Sequence, residues 1–528
     1  MQDRKAVQTM LKQIGDFKSE PLTDFSLPEN QVAFTTALTK VREQFGQSHP
    51  LVIGGQEIYT DAQFTSTNPA HPEQVIGVFS KAGSDLAVQA IEAADAAFAS
   101  WSRTPATERA AVVLKAAALM RERKHEMSAW MVFEVGKNWV EADADTAEAI
   151  DFLEYYARQI LKLELVDVYQ LPGERDTLHY IPLGVGAIIP PWNFPLAIPV
   201  GMSSAAIVSG NSIVFKPASD SAKIAWEYFQ IMREAGLPAG VFNFLTGPGA
   251  VAGETLVDHP RTRFVAFTGS KEVGLRIHER AAKTQTSQIW IKRTILEMGG
   301  KDAIVVDETA DLEAAAKGIV ISAFGFQGQK CSACSRAILV AEIYDALVEK
   351  IVEQARAIVN IGDPEQYEHY TGPVVSKNQY RSVLEHIEVG KQEGRLVYGG
   401  SAVERDGYFI EPTIFADVAP GARIAQEEIF GPVLAVIKAQ DWKHAIAIAN
   451  DTEFGLTGAY YSTNEARIDY ARREFHVGNL YINRKCTGAL VGIHPFGGFN
   501  MSGTDSKAGG PDYLLLFTQA KSIAKKLL

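Results

Sequence analysis

From residue 184 onward, short uncharged apolar runs alternate with helical patterns: "GVGAII" then "PVGMSSAAIVSG", "SIVF" then "SAKIAWEYFQIMREAG", "VFNFL" then "AVAGETLVDHP", and "FVAFTGS" then "KEVGLRIHERAA". Strands that read as continuous apolar runs are buried on both faces, and each needs a crossover helix, so the pattern predicts an α/β fold with a doubly wound parallel sheet. Ligands on such sheets sit beyond the carboxyl ends of the strands. The segments "PPWNFP", "KPAS" and "FTGS", each directly after an apolar run, therefore share one functional rim. A second set, "DAIVV", "DLEAAAKGIVISAFGF", "RAILV" and "IYDALVEKIVEQARAIV", begins after Gly300 and predicts a second α/β domain facing the first across a cleft.

Upstream, Ser84 to Trp101 and about Ala106 to Phe133 read as helices. The stretch "LKLELVDVYQLPGERDTLHYI" alternates polar and apolar residues around "LPGERD" and predicts a protruding antiparallel hairpin, while "YLLLFTQAKSIAKKLL" reads as a tail strand with a basic end. Both leave edges that a partner subunit would cover, which predicts a homodimer or higher homo-oligomer.

Acidic residues (63) outnumber basic ones (51), giving a net charge of −12, so the chain has no footprint for a phosphate backbone and nucleic acid is not an expected partner. Ile181 to Phe215 carries no charge, but its five prolines rule against a membrane-spanning helix. The first residues, "MQDRKAVQTMLKQIGDFKSE", contain no apolar signal core and three cysteines cannot form a disulfide framework, so a reducing cytoplasm is expected.

Two of those cysteines lie in "FGFQGQKCSACSR", as Cys331 and Cys334. A zinc site would need four ligands, and no His lies near the pair in sequence, so no metal is expected. A redox C-x-x-C would start a helix, whereas "SRAILV" reads as a strand. A buried, inert Cys remains open, although the polar turn "GFQGQKC" is an unusual setting for one. A nucleophilic Cys needs an oxyanion donor and a general base. Asn193 on the proline-stiffened "PPWNFP" loop and Glu297 at the end of a strand before Gly299 and Gly300 are candidates; taken singly, each is equally an ordinary turn Asn or surface acid.

Taken together, "PPWNFP", "KPAS", "FTGSKEVG", "LEMGGK", "GFQGQKCSACSR", "QEEIFGPV" and "PFGGFNMSG" resemble the aldehyde dehydrogenase superfamily from about residue 50 to the C-terminus. The resemblance implies the aldehyde dehydrogenase fold, with a Rossmann-like cofactor domain at 1–160 and 182–297, a catalytic domain at 298–500, and an oligomerisation arm at 161–181 and 501–528. It implies Cys331 as nucleophile, Asn193 as oxyanion donor and Glu297 as general base, with Cys334 a bystander; the C-x-x-C spacing by itself adds the expectation that oxidation could join Cys331 to Cys334. For NAD it implies Trp192, Lys216, Ser219, Ser270, Gly274, Glu428 and Phe430. Ser219 stands where many NAD-selective relatives carry an acid, which leaves NADP open, since serine would not repel a 2′-phosphate.

Within the superfamily, "FEVGKNWVEADADTAEAIDFLEYYA", "FHVGNLYINRKCTGALVG" and "PFGGFNMSGTDSKAGGPDYLL" resemble the branch that oxidises L-glutamate γ-semialdehyde, the open form of 1-pyrroline-5-carboxylate, in proline catabolism. This implies Ser332 and the Gly488 and Ala489 backbone as holders of the substrate carboxylate, Phe194 and Phe496 as aromatic walls, and Glu148 as a lining acid. Arg484 and Lys485 keep a rival open, a dehydrogenase of another semialdehyde such as succinate semialdehyde. No proline dehydrogenase domain is recognised in the chain, so a functional link to a separate proline dehydrogenase is expected.

Overall fold

The computed structural model describes residues 4–527; Met1 to Asp3 of the N-terminal arm and Leu528 of the tail lie outside the described residues. Two seven-stranded sheets organise the chain. The first runs in the order Arg293–Glu297, Thr262–Thr268, Val185–Ile189, Ser212–Phe215, Phe242–Phe244, Leu51–Ile53, Gln56–Ile58, parallel through the first five strands and antiparallel at the last two. The second runs Arg395–Tyr398, Thr413–Ala416, Val433–Ala439, Arg336–Val340, Ala303–Val306, Thr457–Tyr461, Asn479–Ile482, with only the edge strand Arg395–Tyr398 antiparallel. The runs "SIVF" and "AIVV" are buried at every position, as two-sided coverage requires.

Parallel pairing puts the strand ends in register: Thr268 lies beside Glu297, Phe267 beside Ile189, and Ile188 beside Phe215. The loops carrying Asn193, Lys216 and Ser270 and the carboxylate of Glu297 are thereby gathered on one rim. The uncharged stretch 181–215 becomes strand Val185–Ile189, buried helix Ala197–Val208 and strand Ser212–Phe215. Among the described residues no helix is long and apolar enough to cross a membrane.

Three expectations differ from the structure. The run "YLLLF", read as the start of the tail strand, is a short helical turn, Tyr513–Phe517, ahead of the strand Thr518–Lys526. The helix predicted over Ala106 to Phe133 is two helices, Ala106–Glu122 and Lys124–Val135, broken at Arg123 (φ −107°, ψ 20°). The predicted local hairpin is absent: helix Trp139–Leu163 takes the first three residues of that segment, an irregular stretch follows, and strand Glu174–Pro182 pairs instead with the tail strand Thr518–Lys526, Pro182 opposite Thr518 and Glu174 opposite Lys526. Alternation specifies a half-buried strand but not its partner, and here the turn at Gly173 (φ +83°) comes after an irregular stretch beyond the helix rather than after another strand.

Candidate active site

The turn that presents Cys331 is strained and heavily braced. Helix Leu312–Phe324 ends at Gly325, and the chain then takes three consecutive left-handed residues, Phe326 (φ 49°), Gln327 (φ 57°) and Gly328 (φ 66°). A Cβ at Gly328 would meet the Gly431 carbonyl oxygen at 2.3 Å, so only glycine fits there. Each of the other two costs on the order of 1–3 kcal/mol, which packing must offset. Gln327 Nε2 donates to Gly136 O (3.2 Å), and the Val375 N–H donates to Gln329 Oε1 (2.9 Å). Buried Lys137 lies 4.1 Å from the ring centroid of Phe194 and 4.5 Å from that of Phe326, and pairs with Asp145 at 2.8 Å. Lys330, next to the nucleophile position, pairs with Glu141 at 2.7 Å. Helix Trp139–Leu163 thus anchors the turn through Glu141 and Asp145, four residues apart on one face.

Cys331 opens on two cavities. The first is also lined by Glu297 and by all six residues expected to contact substrate: Glu148, Phe194, Ser332, Gly488, Ala489 and Phe496. Gly488 (φ +79°) is exposed at the mouth, where its loop is shaped by Arg484, whose Nη2 donates to Thr487 O and Gly488 O at 3.1 Å. Lys485 packs against Gly488, and neither basic side chain lines the cavity. Phe152, Ile198 and Tyr513 complete the apolar wall; the sequence singled out none of them because nothing in their local pattern separates a cavity wall from core.

The second cavity is lined by Cys331, Asn193, Trp192, Ser270, Glu428 and Phe430 among others. Asn193 Nδ2 donates to Gln329 O (3.1 Å), which fixes the amide beside the cysteine's turn. Trp192 and Phe430 meet edge to face at 5.4 Å, and Glu428 Oε1 accepts the Gly300 N–H (3.0 Å). A Cβ at Gly299 would meet Glu428 Oε2 at 2.0 Å, so glycine there is what lets the carboxylate approach. Ser270 caps helix Lys271–Ala282, whose N-terminus is a ready anion site at the cavity edge. A third cavity holds Lys216 with Gly249, Gly253 and Glu254. Flat aromatic walls, a helix N-terminus and a buried lysine fit a dinucleotide. Two expected cofactor residues are not brought into these linings: Ser219 is exposed on the turn Ser219–Ser221, and Gly274 packs beneath, where a Cβ would meet Met298 Sδ at 2.5 Å.

Charge at the site is suppressed by burial. The Cys331 thiol is pushed well up, first by burial and then by Asp302, Glu428 and Glu297. Burial also raises Glu297 to about 7, against the opposing Ser506 hydrogen bond and the charge of Lys507, raises Glu428 to about 7, and raises Glu148 to about 8 with help from Asp145. The sulfur that Cys334 meets is that of Cys486, not Cys331; both are buried, and Cys486 Sγ donates to Ser332 O (3.4 Å). His71, Asp363 and Glu365 converge elsewhere, with Glu365 paired to Arg42, and line neither cavity at Cys331.

The 1-pyrroline-5-carboxylate dehydrogenase of Geobacillus kaustophilus is 57% identical over 513 residues, spanning 97% of this chain and 99% of its own. The structure of 1-pyrroline-5-carboxylate dehydrogenase from Thermus with bound NAD superposes with a TM-score of 0.95 at 52% identity, covering 97% of this chain and 99% of that one. Proline utilization A from Bdellovibrio bacteriovorus gives 0.96 at 45% identity, matching 97% of this chain and 53% of that one. Residues 58–523 match the model of the aldehyde dehydrogenase family, and with a cysteine, an amide and a buried carboxylate gathered at one cleft, the chain belongs to that family.

Proposed function

We propose that this protein oxidises L-glutamate γ-semialdehyde, the open form of 1-pyrroline-5-carboxylate, to L-glutamate with NAD, the second step of proline degradation. The lining of the cavity at Cys331 carries the proposal. Its walls are aromatic, Gly488 and Ala489 line its mouth and Ser332 lies beside Cys331 as candidate donors to a carboxylate, Glu148 lines it as a candidate partner for an ammonium, and among the described residues no basic side chain lines it. Turn amides hold an anion without a buried cation. The relatives named 1-pyrroline-5-carboxylate dehydrogenase, matched over nearly the whole chain, support the same substrate. Comparing kcat/KM for pyrroline-5-carboxylate and succinate semialdehyde, with NAD and with NADP, tests it; faster oxidation of succinate semialdehyde would reject it.

In the proposed mechanism the Cys331 thiol, protonated at rest, loses its proton to solvent, the thiolate adds to the aldehyde carbonyl, and Asn193 Nδ2 donates to the oxyanion of the thiohemiacetal. Trp192, Lys216, Ser270, Glu428 and Phe430 would hold NAD, which when bound would supply the hydride acceptor needed for the adduct to become a thioester. Glu297 then takes a proton from water, the hydroxyl adds to the thioester, and the carbon–sulfur bond breaks to release the carboxylate and regenerate the thiolate. Asn193→Ala removes one oxyanion donor and lowers kcat by roughly 10²–10³ with the melting temperature little changed, measurable by steady-state assay and thermal unfolding. Glu148, near neutral when the cavity is free, ionises beside an arriving ammonium. Glu148→Gln therefore raises KM for the semialdehyde by roughly tenfold or more while kcat changes little, because a charge-assisted contact contributes about 1.5–3 kcal/mol.

The two-stranded arm, Glu174–Pro182 with Thr518–Lys526, supports the proposal of a homo-oligomer. Its outer edges are open, and Tyr169, Leu171, Ile523 and Leu527 are exposed on and around it. Light scattering on the purified protein reads the assembly. The three free thiols support a reducing, cytoplasmic setting, and proline utilization A, about half of which this chain matches, supports a functional link to a separate proline-oxidising enzyme.

A further inference from the structure

Glu297 is held by a segment of the chain about two hundred residues away. The end of strand Arg293–Glu297 is zipped to the tail: the Met298 N–H donates to Ser502 O (2.7 Å), the Thr504 N–H to Leu296 O (2.9 Å), and the Leu296 N–H to Thr504 Oγ1 (3.0 Å). Glu297 itself bridges to Gly503. To lie there the tail adopts φ +159° at Gly503, +52° at Asp505 and +42° at Lys507, and a Cβ at Gly503 would meet Leu296 O at 2.6 Å. Two side-chain-bearing residues in the left-handed region within three positions are strain that the surroundings must enforce. Between them sits Ser506, 3% exposed, whose hydroxyl donates to Glu297 Oε1. The other oxygen, Oε2, is buried and has no hydrogen-bond partner among the described residues.

We infer that Ser506 is a positioning residue for hydrolysis of the thioester: its hydroxyl fixes Glu297 Oε1 and favours the carboxylate form, leaving Oε2 as the oxygen that takes the proton of the attacking water. The inference rests on the reading of Glu297 as the base. In this step the water proton moves to Oε2 as the carbon–oxygen bond forms at the thioester carbon, the carbon–sulfur bond then breaks with its electron pair going to sulfur, and Ser506 keeps its own proton. The charged and titratable groups that face the carboxyl are few. Lys507, its Nζ donating to Gly478 O (2.9 Å) and Gly497 O (2.6 Å) and paired with Asp505, favours the carboxylate, as do the Gly498 and Ser506 N–H groups. Cys331 lies across the cavity, and Glu297 raises both that thiol and the Tyr513 phenol. Removing the serine hydroxyl leaves all of these in place.

The test is the pH dependence of acyl-enzyme decay, followed on the NAD-loaded enzyme by quenching after one addition of semialdehyde and weighing the intact protein. This reads hydrolysis alone, apart from the titration of the Cys331 thiol. A hydrogen bond to a charged group is worth enough to move its titration by about one to two units, so Ser506→Ala shifts the rising limb to higher pH by that amount. At pH 7 decay slows roughly five- to fifty-fold, and the deficit closes at alkaline pH. Ser506→Thr, which keeps a hydroxyl, retains the wild-type profile. A Ser506→Ala profile that coincides with wild type, or that is depressed equally at every pH, overturns the inference. Glu297→Gln is run beside it: an acyl adduct that decays as fast as in wild type would instead overturn the assignment of the base itself.

Discussion

Cys331→Ala forms no NADH from any aldehyde, a loss on the order of 10⁵-fold or more in kcat, because removing a nucleophile removes the covalent route rather than one contact along it. Cys331→Ser is equally silent. An alcohol is far less acidic than a thiol and needs a base in contact with it to attack a carbonyl at neutral pH. Neither substitution unfolds the protein. The turn is held by Gln327, Gln329 and Lys330, through the Gly136 carbonyl, the Val375 N–H and the Glu141 carboxylate, and the sulfur contributes nothing to that bracing. Thermal unfolding within a few degrees of wild type, alongside absent turnover, is the expected pair of readings. Residual activity within about tenfold of wild type in either variant would remove Cys331 from the chemistry. Cys334→Ser, whose thiol meets Cys486 rather than the cavity, keeps its turnover.

Glu297→Gln separates the two halves of the reaction. The glutamine is isosteric and can still accept from Ser506, but it cannot take a proton from water. One equivalent of NADH therefore appears in a rapid burst at the wild-type rate, before a steady state lower by roughly 10²–10⁴. In wild type, hydrolysis rises with pH as Glu297 ionises, and since burial raises that carboxyl to about 7, the rise falls across neutrality. The variant loses this limb. Stopped-flow absorbance at 340 nm reads both phases, and a variant with no burst at all would place Glu297 in the first half-reaction instead of the second.

The architecture and the cleft were legible in the sequence because both rest on local signals. Continuous apolar runs such as "SIVF" and "AIVV" have no use but a two-sided sheet, and parallel pairing then brings the loops at the carboxyl ends of the strands to one rim, as with Asn193 and Ser270. Asn193 and Glu297 carried little weight singly; the ordered set of motifs joined them to Cys331, and the structure brings Glu297 and Cys331 to one cavity and Asn193 and Cys331 to the next. What stayed illegible is long-range. The strand Glu174–Pro182 alternates as a strand should, yet nothing in it says that its partner is Thr518–Lys526. Ser506 sits in a polar, Gly-rich segment and gains its importance only from the backbone pairing of that segment with Leu296 to Met298. The pairing of Cys334 with Cys486 was hidden in the same way, because C-x-x-C spacing draws attention to the wrong neighbour.

The central claim is that the substrate is carried as a thioester on one sulfur, and it is tested most directly by trapping that ester. Glu297→Gln is mixed with NAD and pyrroline-5-carboxylate, quenched in acid within the burst, digested and mapped by mass spectrometry. One glutamyl group per chain is predicted, on the peptide containing Cys331 and on that residue; a burst of NADH with no adduct, or with the adduct on Cys334 or Cys486, would contradict the claim.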